Sequence, residues 1–305
     1  MLADSHGREI HNLRIAVTKQ CNLSCPYCHR EGENDPKGEM RTDEIATIAQ
    51  VAADLGIIKV KLTGGEPLMR TDLEEIIKRI SPLFDEVSMT TNGILLTEER
   101  CRSLKEAGLS RVNVSLDTLN RERYLISSGV DSIDEVVAGI GNATAAGLTP
   151  VKVNTVVMKG INDGEMDDLV KFVVGKGGIL QLIEIETTKD KLESGFYAEH
   201  HMDLGDLEKR IAGIAQGMEV RRMHRRRFYK IGQGGVEFVR PMHNSDFCAN
   251  CNRLRLTSDG RLKPCLLSND GEVDVMAALR SGASEGDVAE LFRRAVSNRV
   301  PYWRD

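Results

Sequence analysis

The chain has 305 residues, with 41 Lys and Arg against 46 Asp and Glu, a formal net charge of -5, and 41% hydrophobic but only 4% aromatic residues. A chain of this length buries about 75% of its unfolded surface in one domain or one and a half, so it needs no disulfide framework to fold. Its 29% charged residues and mean hydropathy of -0.28 exclude a disordered chain, no apolar run reaches the roughly 20 residues of a spanning helix, and the acidic balance argues against a nucleic-acid coat.

From residue 12 to 186, β-rich runs alternate with helical patterns. Strands are expected over 12–17, 59–63, 86–90, 111–115, 151–157 and 179–184. Helices with apolar residues at spacings of three and four are expected over 43–55, 72–80, 97–107, 133–146 and 165–175. Thr42-Asp43-Glu44 and Thr97-Glu98-Glu99 read as helix starts, and Gly56, Gly108 and Gly147 as helix ends. Six strand-helix units in this rhythm predict an α/β fold, a parallel TIM-like partial (β/α)6 barrel over 1–200 with its helices outside. After about residue 200 the rhythm changes to a helix over 203–214, a hairpin of 220–231 and 236–240, a second hairpin signal at Ser258-Asp-Gly260, and two short helices. No low-complexity linker precedes 201–305, so this α+β extension is expected to pack on the barrel.

The unusual residues follow the strands. Cys21 to Cys28 come after the first, Gly64-Gly-Glu-Pro67 after the second, Thr90-Thr-Asn-Gly93 after the third and Ser115-Leu-Asp117 after the fourth. Lys159 follows the fifth strand, and Glu184 to Thr188 close the sixth. In a parallel barrel these positions share the carboxyl-end rim, where βα loops build active sites.

Seven cysteines form two groups of three and one single, Cys101, which reads as a core residue of a helix. An odd number of cysteines without a secretory signal points to reduced thiols. Cys21, Cys25 and Cys28 are spaced C-x3-C-x2-C. Three thiolates on one short loop can hold three irons of a 4Fe-4S cluster and leave the fourth iron open. A zinc site completed by His29 or a distant residue is the alternative, although zinc more often takes C-x2-C pairs. Cys248, Cys251 and Cys265 pose the same choice between a second open cluster and a zinc ribbon lacking its fourth ligand.

The first group, with the aromatic Tyr27 before its third cysteine, resembles the signature of the radical S-adenosylmethionine (SAM) superfamily. The resemblance implies that the open iron takes the amino and carboxylate groups of SAM, and that reduction releases a 5′-deoxyadenosyl radical. Gly64, Gly65 and Glu66 resemble that superfamily's SAM amino-group motif. By the same resemblance Tyr27, Ser115 and Glu186 are expected on the SAM side and Thr90 on the substrate side.

Within the superfamily, the segment Cys248-Ala-Asn-Cys-Asn-Arg-Leu-Arg-Leu-Thr-Ser-Asp-Gly-Arg-Leu-Lys-Pro-Cys265 is similar to one branch above all, the GTP 3′,8-cyclases of molybdenum cofactor biosynthesis. Leu62 to Arg70, Arg111 to Asp117 and Val153 to Asn162 extend the similarity over the whole chain. Cys28-His-Arg-Glu-Gly32 and Asn298-Arg-Val-Pro-Tyr302 look like the archaeal members. This implies a second 4Fe-4S cluster that binds the guanine of GTP, with the triphosphate held by Arg14, Lys61, Lys159, Arg253 and Arg255. Arg forks suit phosphate oxygens, and Arg253 and Arg255, two apart on a strand, face the same side.

Three positions depart from the bacterial pattern. Gln181 stands where bacterial members carry an Arg, Lys61 stands where Arg is frequent, and the C-terminal Gly-Gly is replaced by an ending in Pro301-Tyr-Trp-Arg-Asp305. The basic run from Arg221 to Lys230 reads as a solvated hairpin face and is left out of the site.

The implied reaction begins with removal of hydrogen from carbon 3′ of GTP. The new radical attacks carbon 8, giving (8S)-3′,8-cyclo-7,8-dihydroguanosine 5′-triphosphate. Implied partners are GTP, an electron donor such as ferredoxin or flavodoxin, a downstream cyclic pyranopterin monophosphate synthase and a second copy of the chain, in the cytoplasm, with no nucleic acid and no membrane. Two rival readings are another two-cluster radical SAM enzyme acting on a peptide, which needs no phosphate-binding cations, and a non-enzymatic iron-sulfur carrier, which needs no open iron.

Overall fold

The structure, a computed structural model, describes residues 2–33, 36–193 and 195–304, so Met1 at the start and Asp305 of the ending lie outside it. Six strands follow the expected rhythm: β1 (Asn12–Thr18), β2 (Lys59–Gly64), β3 (Glu86–Thr91), β4 (Arg111–Ser115), β5 (Lys152–Val157) and β6 (Ile179–Glu184). Between them run helices α1 (Thr42–Asp54), α2 (Leu73–Ile80), α3 (Glu98–Glu106), α4 (Arg121–Ser128), α5 (Ile133–Ala145) and α6 (Met166–Gly175). Of these, α4 was not legible in the sequence, because its Leu125 and Ile126 point outward and give no apolar stripe. Thr97 caps α3 by accepting from the Arg100 N–H at 3.1 Å. Thr42, read as part of a cap, is instead the first residue of α1, and Glu44 accepts from the Arg41 N–H at 2.7 Å.

The remaining elements are α7 (Gly195–His200), α8 (Gly205–Ile214), β7 (Gly217–Val220), β8 (Arg227–Ile231), β9 (Gly234–Val239), α9 (Ser245–Ala249), β10 (Arg253–Leu256), β11 (Arg261–Lys263), β12 (Val273–Asp274), α10 (Val275–Arg280) and α11 (Glu285–Ser297). The run 220–231, expected as one strand, is broken. A tight turn at Met223–Arg225, with His224 and Arg225 at positive φ, separates β7 from β8.

One sheet takes in both halves of the chain. Its order is β12-β11-β10-β1-β2-β3-β4-β5-β6-β9-β8-β7. Pairing is parallel from β10 through β1–β6 to β9, because β10 adds to β1 and β9 adds to β6. The C-terminal extension therefore lengthens the barrel sheet at both of its edges rather than covering it.

Residues alternate along these strands with an inverted sense. Leu13, Ile15, Val60, Leu62, Val87, Met89, Val112, Val114, Leu180, Leu182, Leu254 and Leu256 are fully buried in the main apolar core. The residues between them are polar and line one cavity: Arg14, Lys61, Thr63, Ser88, Thr90, Asn113, Ser115, Asn154, Gln181, Arg253 and Arg255. Strands with an apolar outer face and a polar inner face curl around a polar lumen. Each buried outer side chain contributes roughly 1.5–3 kcal/mol, so the outer layer stabilises a lumen that contributes little itself.

Candidate active site

The lumen is a cavity of about 1160 Å³, ample for a drug-sized ligand by the usual range of roughly 300–1000 Å³. Both cysteine trios line it. They approach from opposite ends: Cys21, Cys25 and Cys28 follow the carboxyl end of β1, whereas Cys248 and Cys251 precede the amino end of the parallel β10.

Each trio has a donor set suited to an iron-sulfur cluster. All six thiols are free of disulfides, and backbone N–H groups of Leu23, Arg30 and Trp303 donate to the sulfurs of Cys21, Cys28 and Cys248 at 3.4 Å each. Such donors stabilise thiolates and tune clusters. Among the described residues no three His, Cys, Asp or Glu side chains gather tightly enough around one point to hold a single ion. A cluster takes one thiolate per iron and so accepts sulfurs spaced more widely.

At the second trio the loop is held by both ends of the chain. Arg8 donates to the Cys248 carbonyl at 2.9 Å and Arg299 to the Cys251 carbonyl at 2.8 Å, and Asp4 receives both guanidinium groups at 2.7 Å. Burial alone would raise the Cys251 thiol, yet the surrounding Arg299, Arg253 and Arg8 charges bring it below its ordinary value. Trp303 packs against His243, ring centroids 4.3 Å apart and tilted by 39°. The sequence contained no signal for this support, because Asp4, Arg8 and Arg299 lie far from any cysteine motif.

At the first trio, Gly64 and Gly65 allow a close approach of backbones. A Cβ at Gly65 would stand 2.0 Å from the Gln20 carbonyl oxygen, and one at Gly64, where φ is +139°, 2.2 Å from that of Thr18. Glu66 is buried, and its carboxylate is already occupied by the Leu68 N–H at 3.0 Å, the Thr91 hydroxyl at 2.7 Å and the Asn92 N–H at 2.6 Å. That arrangement ties the β2 and β3 loops together. Tyr27 donates to the Asp117 carboxylate, which also accepts from the Val156 N–H at 2.9 Å and is raised by burial to about 6. Ser115 and Glu186 also face the cavity.

Four of the expected triphosphate cations, Arg14, Lys61, Arg253 and Arg255, stand on lumen-facing positions of the strands. Arg14 and Arg255 share Glu31, at 3.5 and 2.7 Å, and Thr63 donates to the same carboxylate at 2.8 Å. Arg14 also reaches the Thr90 hydroxyl at 3.5 Å. Lys61 donates to Asn113 at 2.9 Å, and burial among Arg111, Arg14, Lys152 and Arg253 pushes its ammonium well below the usual lysine value. Burial likewise lowers Arg253 to about 9.

Lys159 is a correction. It lies beyond the end of β5, exposed and away from the cavity, its backbone bonded to His200. The β5 cation that does line the lumen is Lys152, 2.8 Å from Glu237. Gln181 joins the same group, donating to Glu237 at 2.7 Å and accepting from Asn113 at 3.1 Å.

Known proteins resemble this chain along its whole length. Residues 15–173 match the model of the Radical SAM superfamily, and residues 179–304 that of Molybdenum Cofactor Synthesis C. In overall fold the chain is similar to Streptococcus suis SuiB bound to S-adenosylmethionine, with a TM-score of 0.68 at 17% identity over 98% of this chain and 78% of that one. It is 50% identical to a probable GTP 3′,8-cyclase of Pyrococcus abyssi over 99% of this chain and 100% of that protein. It is 45% identical to one of Archaeoglobus fulgidus over the full length of both. With such identity along the whole of both sequences, the chain belongs to the GTP 3′,8-cyclase family, a branch of the radical SAM superfamily.

Proposed function

We propose that this chain converts GTP to (8S)-3′,8-cyclo-7,8-dihydroguanosine 5′-triphosphate, the first step of molybdenum cofactor biosynthesis. The observation that carries the reading is one lumen with a thiolate trio at each end and cations on the strand faces between them. A chamber whose strand faces carry this many cations suits a small polyanion, whereas a peptide would leave those cations without a partner.

Membership of the superfamily brings a 4Fe-4S cluster and SAM, which supply a 5′-deoxyadenosyl radical when reduced. In this reading Cys21, Cys25 and Cys28 hold that cluster, and Tyr27, Gly64, Gly65, Ser115 and Glu186 surround SAM, with Glu66 fixing the loop. Cys248, Cys251 and Cys265 hold a second 4Fe-4S cluster facing the guanine. Arg14, Lys61, Lys152, Arg253 and Arg255 hold the triphosphate, and Thr90 lies against the nucleotide. Glu31 keeps Arg14 and Arg255 aligned before the phosphate oxygens displace it. Held at its phosphates by these side chains, one nucleotide would keep its carbon 3′ and carbon 8 in a fixed relation, which favours their joining over side reactions. A one-electron donor of the ferredoxin or flavodoxin type and a downstream cyclic pyranopterin monophosphate synthase complete the scheme.

The test is one anaerobic turnover with reductant, SAM and each nucleoside triphosphate in turn. Deoxyadenosine and a cyclised guanine nucleotide should form together with GTP only. Deoxyadenosine without any cyclised nucleotide, under conditions that load both clusters, would overturn the reading.

A further inference from the structure

The turn between β7 and β8 places two consecutive non-glycine residues in the left-handed region, His224 at φ 60° and Arg225 at φ 47°. Such backbone is strained for residues with a side chain and persists only where its surroundings enforce it. Here they do. The His224 N–H donates to the Asn250 carbonyl at 2.9 Å, its imidazole stacks on Phe247 at 3.8 Å, and Arg253 donates to the Met223 sulfur at 3.1 Å.

What the turn achieves is the direction of Arg226. Within the basic run, Arg225 and Arg227 are more than half exposed and pair outside with Asp246 and Glu208. Arg226 is only 16% exposed and lines the lumen, its Nε 3.2 Å from Glu237 and donating to the Met223 carbonyl at 3.3 Å. Its two terminal nitrogens have no hydrogen-bond partner among the described residues. Glu237 already receives Lys152 at 2.8 Å and Gln181 at 2.7 Å. One carboxylate thus faces two cations, and an open guanidinium fork is left beside a surplus positive charge, the arrangement that binds phosphate oxygens bidentately.

We infer that Arg226 is a substrate-binding residue that grips the polyphosphate of the nucleotide, with the strained turn as its mount. The inference rests on the cyclase reading, yet can fail independently of it.

Anaerobic equilibrium binding of GTP and of guanosine to the cluster-loaded enzyme tests it. Arg226→Gln should weaken GTP by about 10- to 150-fold and leave guanosine within about twofold. Arg226→Lys, which keeps the charge and loses the fork, should fall between, while Arg225→Gln should bind as the parent does. Adding Gln181→Arg to Arg226→Gln, which places a new guanidinium beside the same Glu237, should restore much of the GTP affinity. If Arg226→Gln binds GTP as tightly as the parent, or loses GTP and guanosine alike, the inference is wrong and the cyclase reading stands. Should Arg226→Gln not fold, Arg226→Lys decides by the same GTP-to-guanosine ratio. A parent enzyme that binds GTP no better than guanosine would instead sink the cyclase reading.

Discussion

Lys152 holds its proton under two opposing influences: burial lowers its ammonium to about 8, against the pull of Glu237. Phosphate oxygens arriving beside it favour the charged form and raise that value. Above about pH 8 GTP binding should therefore take up a proton, and affinity should fall as pH rises through that value. Calorimetry in two buffers of unlike ionisation enthalpy reads the proton, and Lys152→Met should abolish the uptake. Arg253→Ala and Arg255→Ala, singly, should each weaken GTP by about 10- to 150-fold and guanosine far less; parent-like titrations of both would place the triphosphate elsewhere. The contrast between Lys152 and Lys159 shows where sequence reading stops at this scale. Counting by twos from Asn154 back to Lys152 identifies the lumen face, whereas Lys159 was placed by a motif that continues past the strand.

The loop between β5 and α6 turns on Asn162, which is fully buried. It donates to the Asp117 carbonyl at 2.7 Å and the Val156 carbonyl at 2.8 Å, and accepts from the Met158 N–H at 2.7 Å. Asn162→Ala would leave two buried backbone groups and one half-buried one without their partner and should cost about 3 kcal/mol in unfolding free energy, read as a shift of the urea midpoint. A shift under a third of that would mean the loop rearranges to satisfy them. Strand and helix positions were legible in the sequence because period and caps agreed along the chain. The break between β7 and β8 was not, since His224 and Arg225 adopt left-handed backbone under tertiary contacts that no local preference announces.

Across the whole molecule, both chain ends reach the second trio, while the first sits on the loop after β1, which Glu31 ties to Arg255 and Glu33 to Ser258. Changing Cys21, Cys25 and Cys28 together to Ala should leave about half of the iron, by the one-cluster-per-trio count, and no SAM cleavage. Changing Cys248, Cys251 or Cys265 to Ala should stop GTP cyclisation and spare uncoupled deoxyadenosine release. Equal loss of both activities in a folded, half-loaded protein would merge the two roles. Both trios were plain in the sequence from their spacing. That they open on one lumen from opposite ends was not, because it depends on β10 joining β1 in parallel after more than two hundred intervening residues.

The packing of Trp303 against His243, with its backbone N–H on the Cys248 sulfur, gives the second trio an optical voice. Trp303 is the one tryptophan of the sequence, so indole emission reports from this place alone. Iron and sulfide assembled on Cys248, Cys251 and Cys265 absorb where an indole emits and drain its excited state by energy transfer. Reconstitution of the apo-protein should dim the emission strongly. In the variant lacking these three thiols, where iron enters only the first trio, most of the light should remain. Equal dimming in both would mean that Trp303 does not sit beside the second trio in solution.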